Sequence, residues 1–312
     1  MRAFTSLAKG VVSVRRYSFK LGYYVLLLYR NVRVRDWRAY LAMGMFGFMH
    51  NAGFSSPLHF ALSSAEIILT LIFYLAFSFS INNCFDVYSD KSKPDKLVKN
   101  PIAAGLITFR VGLLFSVSLA LTGAFLAYLY FHTLATTLVI YISMILLAGF
   151  YSAPPLRFKS RPPLDLVSHG LFFGSLLYLY GASISGEINT YSISTALSIL
   201  IYSIILELRN HLEDYQADYI SGVKTSVYVL GKVKAEKILY ALFILYWLYL
   251  VMIFQNLYVT SISMLALMLL PLYWKNSALY FRIADASTVL SYVLILLPKI
   301  LLLFSGFTEE FR

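Results

Sequence analysis

Nine long runs of apolar residues constrain this chain more than any other feature of its sequence. Each run is roughly 17 to 25 residues long, about the length a helix needs to cross 30 Å of hydrocarbon. The runs are continuous, whereas strands of a membrane barrel alternate apolar and polar residues. We therefore expect an all-α integral membrane protein, and 59% hydrophobic against 13% charged residues agrees with this. The predicted transmembrane helices are 36–54, 64–86, 108–131, 133–151, 164–184, 191–213, 236–255, 257–274 and 286–305.

The positive charges alternate between the two ends of these predicted helices. Of the 26 Lys and Arg residues, 24 lie in the N-terminal segment or in alternate loops, and the four intervening loops carry none. Because short cytoplasmic loops are rich in Lys and Arg, this pattern predicts an N-inside, C-outside topology. The net charge of +11 is then explained by topology and by attraction to anionic lipid, and we expect no nucleic-acid partner.

The sequence predicts one membrane domain, 36–305, between a basic N-terminal arm, 1–35, and a short C-terminal tail, 306–312. The composition of the arm fits a transit peptide or an interfacial amphipathic helix, and the expected basic cytoplasmic arm favours the interfacial helix. We expect a multi-pass protein of the plasma membrane in a prokaryote, or of an organelle inner membrane in a eukaryote. Nothing in the sequence indicates an obligate protein partner.

Two polar triplets with the same spacing stand at the ends of two apolar runs. They are Asn82, Asp86 and Asp90, and, 128 positions later, Asn210, Asp214 and Asp218. A spacing of four residues puts each triplet on one face of a helix. The offset also suggests that spans 1–4 and 5–8 are duplicated four-helix units, with a ninth helix appended.

Four carboxylates brought together repel one another unless a cation lies between them. Mg²⁺ suits such a site, since it binds through a few carboxylates and through substrate phosphate oxygens. The alternative is that these acids only end helices or pair with lysines. Their equal spacing argues against it, because acids at membrane depth are rare and usually functional. We expect Asn82 and Asn210 to contact the same phosphate-bearing substrate.

Residues 82–90, which read NNCFDVYSD, resemble the first aspartate-rich motif of the UbiA family of intramembrane prenyltransferases. Residues 214–218 resemble the second motif. Segments 100–105, 151–159 and 222–231 are similar to other stretches of that family, and the similarity runs from about residue 30 to the C-terminus. Asn83 and His211 depart from it, because many members carry an acid at those positions.

The resemblance implies Mg²⁺-dependent transfer of an isoprenyl group from a prenyl diphosphate to a lipophilic acceptor within the membrane. Asp86, Asp90, Asp214 and Asp218 would hold the metal at a cytoplasmic-facing site. The other residues expected at the diphosphate are mostly basic: Arg33, Lys159, Arg157, Lys91, Lys224 and, beside them, Tyr151.

The acceptor and one different function stay open at this point. A quinone-ring precursor, a glycerol ether lipid, a carotenoid and a polyprenyl-phosphate sugar all fall within the family. The segment from Tyr151 to Gly170, with Asp165 and His169, is similar to members that use carotenoid-type or archaeal lipid acceptors. A membrane transporter could use the paired carboxylates as a cation or substrate site, although transporters usually place such acids near the bilayer midplane.

Overall fold

A computed structural model of the chain describes residues 22–51, 56–91, 94–186 and 188–310. These ranges contain helices and loops and no strand. The helices are α1 (22–31), α2 (Arg38–Asn51), α3 (Pro57–Phe85), α4 (Val87–Lys91), α5 (Pro94–Lys99), α6 (Phe109–Phe131), α7 (Ala135–Ser152), α8 (Leu164–Gly170), α9 (Leu176–Ser185), α10 (Thr190–Ser221), α11 (Ser226–Leu230), α12 (Lys232–Phe254), α13 (Leu257–Met268), α14 (Leu272–Lys275) and α15 (Ser277–Glu310).

Seven of the nine predicted spans coincide with helices that are long and apolar enough to cross a membrane. One of the seven combines α8 and α9 through a π-helical turn, Leu171–Ser175. At the other two predicted spans, 36–54 and 257–274, the helices are shorter: α2 has 14 residues and α13 has 12. Both fall below the roughly 20 residues that a simple crossing requires. The N-inside, C-outside orientation and the duplicated units stay predictions.

Residues 1–21 of the predicted basic arm lie outside the described residues, but α1 packs against the membrane domain. Leu27 is fully buried in a cluster with Cys84 and Ile102. The Arg30 guanidinium donates to the Val98 carbonyl oxygen at 2.6 and 3.0 Å. The end of the arm is therefore in contact with the first motif and with the segment that follows it.

Close contact between α2 and α9 holds the first and fifth spans together. A Cβ atom added to Gly47 would lie 1.9 Å from the Tyr178 carbonyl oxygen, and one added to Gly181 would lie 1.9 Å from that of Gly44. Small residues at such a crossing let two backbones approach closely, as is common among membrane helices.

The two motifs differ in the helices that carry them, and the first spans the junction between α3 and α4. α3 ends at Phe85, yet the Asp86 amide still donates to Asn82 at 2.9 Å and the Asp90 amide donates to Asp86 at 2.9 Å. The first triplet thus keeps its common face across the junction of α3 and α4.

The second motif lies on one uninterrupted helix. α10 has 32 residues, which makes it about 48 Å long and longer than the hydrocarbon core is thick. It ends where Gly222 adopts a φ of 70° and its amide donates to the Asp218 carbonyl, a conformation that glycine adopts at little cost. Asp214 and Asp218 are therefore on the final turns of α10.

Candidate active site

Both motifs line one cavity of about 400 Å³ at one end of the bundle. Nine of the twelve predicted site residues line it: Asn82, Asp86, Asp90, Asn210, Asp214, Asp218, Arg33, Tyr151 and Lys159. The structure thus brings the two triplets together, as their spacing predicts. Their chemical roles stay predictions.

In the first motif, both carboxylates contact polar side chains from other segments. The Lys159 ammonium donates to Asp86, whose side chain is 5% exposed. The loop after α7 positions this lysine through a left-handed residue, Arg157 with φ 37°, and a short 3₁₀ turn. Asn100 donates to Asp90 at 2.9 Å. Burial, and then the nearby Asp86 carboxylate, raise the pKa of Asp90 above its ordinary value.

In the second motif, a lysine from α5 reaches across to α10. Lys96 Nζ lies 3.0 Å from Asp214 Oδ2. Burial opposes the charge of Lys96, but the Asp214 carboxylate outweighs it and raises the pKa of Lys96. The sequence reasoning did not select Lys96 as a site residue, although it stands 128 positions before Lys224, the same offset that relates the triplets.

Arg33 lies at the cavity wall in a left-handed conformation, with φ 56°. Its Nε donates to Asp36 Oδ2 at 3.1 Å, and its guanidinium carbon lies 5.2 Å from the centre of the Phe79 ring. Asp36 also accepts from Lys99 at 3.1 and 3.2 Å. The guanidinium is thus held at the cavity by a carboxylate and an aromatic face.

The other three predicted basic residues are not among the described residues that line the cavity. Lys91 and Lys224 are exposed. Arg157 is half-buried, and its Nε has no hydrogen-bond partner among the described residues. Their contact with a diphosphate remains a prediction from the sequence.

Deeper in the cavity the wall is aromatic. Tyr40 stacks on Phe173 at 4.5 Å between ring centres, and Phe173 lies 4.5 Å from Phe172 and 5.3 Å from Phe79. Tyr151 continues the cluster 5.1 Å from Phe172. Aromatic faces attract a positive charge, so this wall suits a cationic species.

Below the motifs lies an acid that the sequence reasoning missed, Glu207, which is 6% exposed. Its Oε1 accepts from the Tyr151 hydroxyl at 2.8 Å, and its Oε2 accepts from Asn210 at 3.1 Å. Nε2 of His211 lies 3.2 Å from Oε1, and Nε2 of His169 lies 3.4 Å from Oε2. The sequence contained a signal for Glu207, because an acid inside an apolar span is a functional candidate by default. Glu207 also precedes Asp214 by seven residues, or two helical turns, which puts both on one face of α10.

The described lining of the cavity is strongly acidic: seven Asp and Glu against three Lys and Arg. Among the described residues, no three His, Cys, Asp or Glu side chains lie close enough together to hold one metal ion by themselves. Mg²⁺ fits this donor set, since it usually takes only one or two protein carboxylates and completes its shell with water and phosphate oxygens.

Comparisons with known proteins agree on one family. The model of the UbiA prenyltransferase family matches residues 40–297. A lycopene elongase/hydratase of Corynebacterium glutamicum is 28% identical over 223 residues, which cover 71% of this chain and 74% of that protein. A lycopene elongase/hydratase of Halobacterium salinarum is 27% identical over 179 residues, 56% of this chain and 62% of its own length. The match thus spans less than two thirds of the Halobacterium protein.

Solved structures show the same fold at lower identity. A UbiA homolog from Archaeoglobus fulgidus bound to GPP and Mg²⁺ superposes with a TM-score of 0.66 at 21% identity, covering 90% of this chain and 98% of that one. A structure of digeranylgeranylglyceryl phosphate synthase gives 0.67 at 19% identity, covering 89% and 97%.

Proposed function

The chain belongs to the UbiA prenyltransferase family, and on this premise we propose that it transfers an isoprenyl group from a prenyl diphosphate to a lipophilic acceptor within the membrane. The observation that carries this proposal is the convergence of both Asp motifs on one acidic cavity. The charge pattern of the loops supports an orientation in which this cavity opens to the cytoplasm.

The four motif carboxylates are the proposed ligands of Mg²⁺. Asp86 and Asp90 would bind Mg²⁺ at the α3–α4 junction, and Asp214 and Asp218 would bind Mg²⁺ at the end of α10, so that no ion takes more than two protein carboxylates. When bound, the metal would stabilise the negative charge that develops on the diphosphate leaving group. Mg²⁺ is also present in the Archaeoglobus structure with GPP.

Arg33, Lys96 and Lys159 supply the positive charge that the diphosphate would need beyond the metal. All three line the cavity, and each already faces a carboxylate. Phosphate oxygens would give Lys96 and Lys159 new partners when metal takes Asp214 and Asp86. Arg33 presents a planar guanidinium, which suits bidentate contact with phosphate.

Breaking the allylic C–O bond would leave a carbocation beside the aromatic wall. Tyr40, Phe79 and Phe173 pack against one another there. Their faces would stabilise the cation, and the bundle would keep bulk water away from it until the acceptor attacks.

We propose a lycopene-type polyene as the acceptor class. Both curated relatives described above are lycopene elongase/hydratases, from two organisms. A polyene attacks the cation through a C=C bond and needs no ionised group of its own. A quinone precursor, a glycerol ether lipid and a polyprenyl phosphate are the alternatives that the experiment must separate.

The test is transfer from radiolabelled dimethylallyl and geranylgeranyl diphosphate by the purified protein in liposomes, with Mg²⁺ or with EDTA. The acceptor panel is lycopene, a hydroxybenzoate, geranylgeranylglyceryl phosphate and a polyprenyl phosphate. We expect Mg²⁺-dependent transfer to lycopene, and at least a hundredfold loss in Asp86→Asn and Asp214→Asn.

Glu236→Gln is the matched control, because Glu236 lies at the start of α12 and is not among the described residues that line the cavity. It should retain wild-type transfer. If wild type consumes neither donor with any acceptor, the prenyltransferase proposal is wrong. Transfer to another panel member would support the prenyltransferase proposal but contradict the proposed lycopene-type acceptor.

A further inference from the structure

The group formed by Glu207, His169, His211 and Tyr151 contains none of the proposed metal ligands, and Tyr151 alone among its members is also expected at the diphosphate. Its members come from α7, α8 and α10 and line the same cavity, beneath the Asp motifs. Along α10, Glu207 precedes Asp214 by seven residues, so it lies about 10 Å farther into the bundle at a rise of 1.5 Å per residue. At this depth the group lies beside the aromatic wall, because Tyr151 and His169 both contact Phe172, and this wall is where the proposed function puts the carbocation.

Glu207 is surrounded by groups that donate hydrogen bonds to an ionised carboxylate. Tyr151 and Asn210 donate to its two oxygens, and one ring nitrogen of each histidine faces it. A carboxylate buried in a membrane bundle costs several kcal/mol unless it is paired. Polar packing alone could be achieved with amides or hydroxyls, so a buried acid that faces two histidines suits proton transfer.

The two histidines are not equivalent. His211 has Nε2 at 3.2 Å from Glu207 and Nδ1 at 3.5 Å from Asp165, so carboxylates face both of its nitrogens. Asp165 in turn accepts from the Ser226 amide and hydroxyl at 2.5 and 2.6 Å, which fixes that side of the group. His211 thus faces a carboxylate on each side of its ring, although its Nδ1, like that of His169, makes no hydrogen bond among the described residues.

His169 meets a carboxylate on one side only. Its Nε2 faces Glu207 at 3.4 Å, which favours the tautomer with the proton on Nε2. Its Nδ1 then has a free lone pair, and this atom is buried with no hydrogen-bond partner among the described residues. The ring lies at the cavity, 5.2 Å from the centre of Phe173 in the aromatic wall.

We propose that His169 accepts the proton that the acceptor loses during prenyl transfer, and that Glu207 positions it. This inference rests on the proposed function. The allylic C–O bond breaks and its electron pair leaves with the diphosphate. A C=C bond of the acceptor supplies the pair for the new C–C bond, which leaves a cation on the acceptor.

The cation is then discharged by loss of one proton to His169 Nδ1. Either a neighbouring C–H bond breaks and its pair forms a new C=C bond, or water adds and gives up its proton. The imidazolium that results lies beside the Glu207 carboxylate, which stabilises it as the acid of a catalytic triad stabilises its histidine. The sum is donor plus acceptor (and water, if it adds) giving prenylated acceptor, diphosphate and one proton.

The experiment measures two products in one sample: diphosphate released and prenyl group transferred. Full-length wild type and His169→Gln are compared in liposomes with Mg²⁺, labelled dimethylallyl diphosphate and lycopene, or the panel member that wild type prenylates. We expect diphosphate release within threefold of wild type and transfer per diphosphate released lower by about tenfold or more, since a positioned base contributes about 10² to 10⁴ in rate. Glu207→Gln keeps the size of its side chain and should lower the same ratio.

His50→Gln is the matched control, because His50 is a buried histidine bonded to Tyr178 at 2.7 Å and is not among the described cavity residues. Its ratio should equal that of wild type. A parallel fall of release and transfer in both cavity variants would mean a structural role, and release and transfer both at wild-type levels would mean that diphosphate takes the proton. Either result overturns the inference and leaves the proposed function standing. Should His169→Gln fail to fold, Glu207→Gln decides alone. Wild type that releases no diphosphate would instead overturn the proposed function, and this inference with it.

Discussion

At the scale of single residues, the cavity is organised by lysine–carboxylate pairs between distant segments. Lys159 contacts Asp86 from the loop after α7, and Lys96 contacts Asp214 from α5. Because buried charges are costly when unpaired, these lysines stabilise the acids while no metal neutralises them. Each lysine links two segments that are far apart in sequence.

Replacing Lys159 should weaken binding of the donor more than it slows the reaction. In Lys159→Gln we expect the KM for prenyl diphosphate to rise about tenfold, equivalent to about 1.4 kcal/mol, because a charged contact with phosphate would be lost. Steady-state kinetics with purified variants measure this. Lys234→Gln is the control, since Lys234 is exposed on α12, and an unchanged KM in Lys159→Gln would contradict the assignment.

The site was partly predictable from the sequence, and the misses have a physical reason. The two triplets were visible because helical spacing alone puts their members on one face. Lys96 was not selected, because its contact with Asp214 depends on α5 folding back toward α10. Glu207 could have been selected as an acid inside an apolar span, but its partners His169 and Tyr151 come from other helices. Lys91 was selected from a basic loop, and loop charge does not specify which lysine faces the cavity; its contact with a diphosphate stays a prediction.

At the scale of helices, the α2–α9 contact links the packing of the bundle to the wall of the cavity. Its glycines allow backbone atoms to touch, and α9 continues directly from the π-helical turn that carries Phe172 and Phe173. A change at this crossing should therefore move the aromatic wall as well as weaken the bundle.

Gly181→Ala should destabilise the protein, because its added methyl would lie 1.9 Å from the Gly44 carbonyl oxygen. We expect a loss of about 1–3 kcal/mol in the free energy of unfolding, as is typical for overpacking, visible as a lower thermal midpoint in detergent. Gly149→Ala is the matched control, since its methyl would lie 3.8 Å from Phe77 in ordinary contact. Equal midpoints for the two variants would show that the crossing can relax.

The helices themselves followed closely from hydropathy, with exceptions at ends and short elements. Apolar runs mark where a helix enters hydrocarbon, so seven spans were found. The prediction for 191–213 stopped at the charged residues, whereas α10 continues to Ser221 because backbone hydrogen bonding is indifferent to the membrane boundary. α13 is shorter than predicted because residues 269–271 form a turn, and α2 ends at Asn51, after which residues 52–55 lie outside the described residues.

At the scale of the whole molecule, the excess of acids at the cavity makes stability depend on its ligands. Mg²⁺ and inorganic diphosphate together should raise the thermal midpoint of unfolding by more than their two separate shifts added together. The reason is that Mg²⁺ offsets the repulsion between the diphosphate and the carboxylates of the cavity. At one hundred times the dissociation constant, the stabilisation is about 2.7 kcal/mol. Asp86→Asn should abolish this extra shift in the thermal midpoint, whereas Glu236→Gln should keep it. Strictly additive shifts in wild type would argue against a shared site for the metal and the diphosphate.

The predicted orientation can be tested because the single cysteine, Cys84, is buried. Lys234→Cys and Gln255→Cys place exposed thiols at opposite ends of α12, Lys232–Phe254. A membrane-impermeant maleimide should label the residue-255 thiol in right-side-out vesicles and the residue-234 thiol in inverted ones. The opposite labelling pattern would put the cavity on the outer face of the membrane and contradict the topology predicted from the loop charges.

The lysine partners of Asp86 and Asp214 also bear on the order in which the proposed ligands would bind. A metal ion alone would have to displace two ammonium groups from their carboxylates, and a diphosphate alone would meet an excess of negative charge. Together they would exchange every partner: metal for lysine at the carboxylates, and phosphate for carboxylate at the lysines. The proposed function therefore predicts mutual dependence, in which neither the ion nor the donor binds tightly without the other.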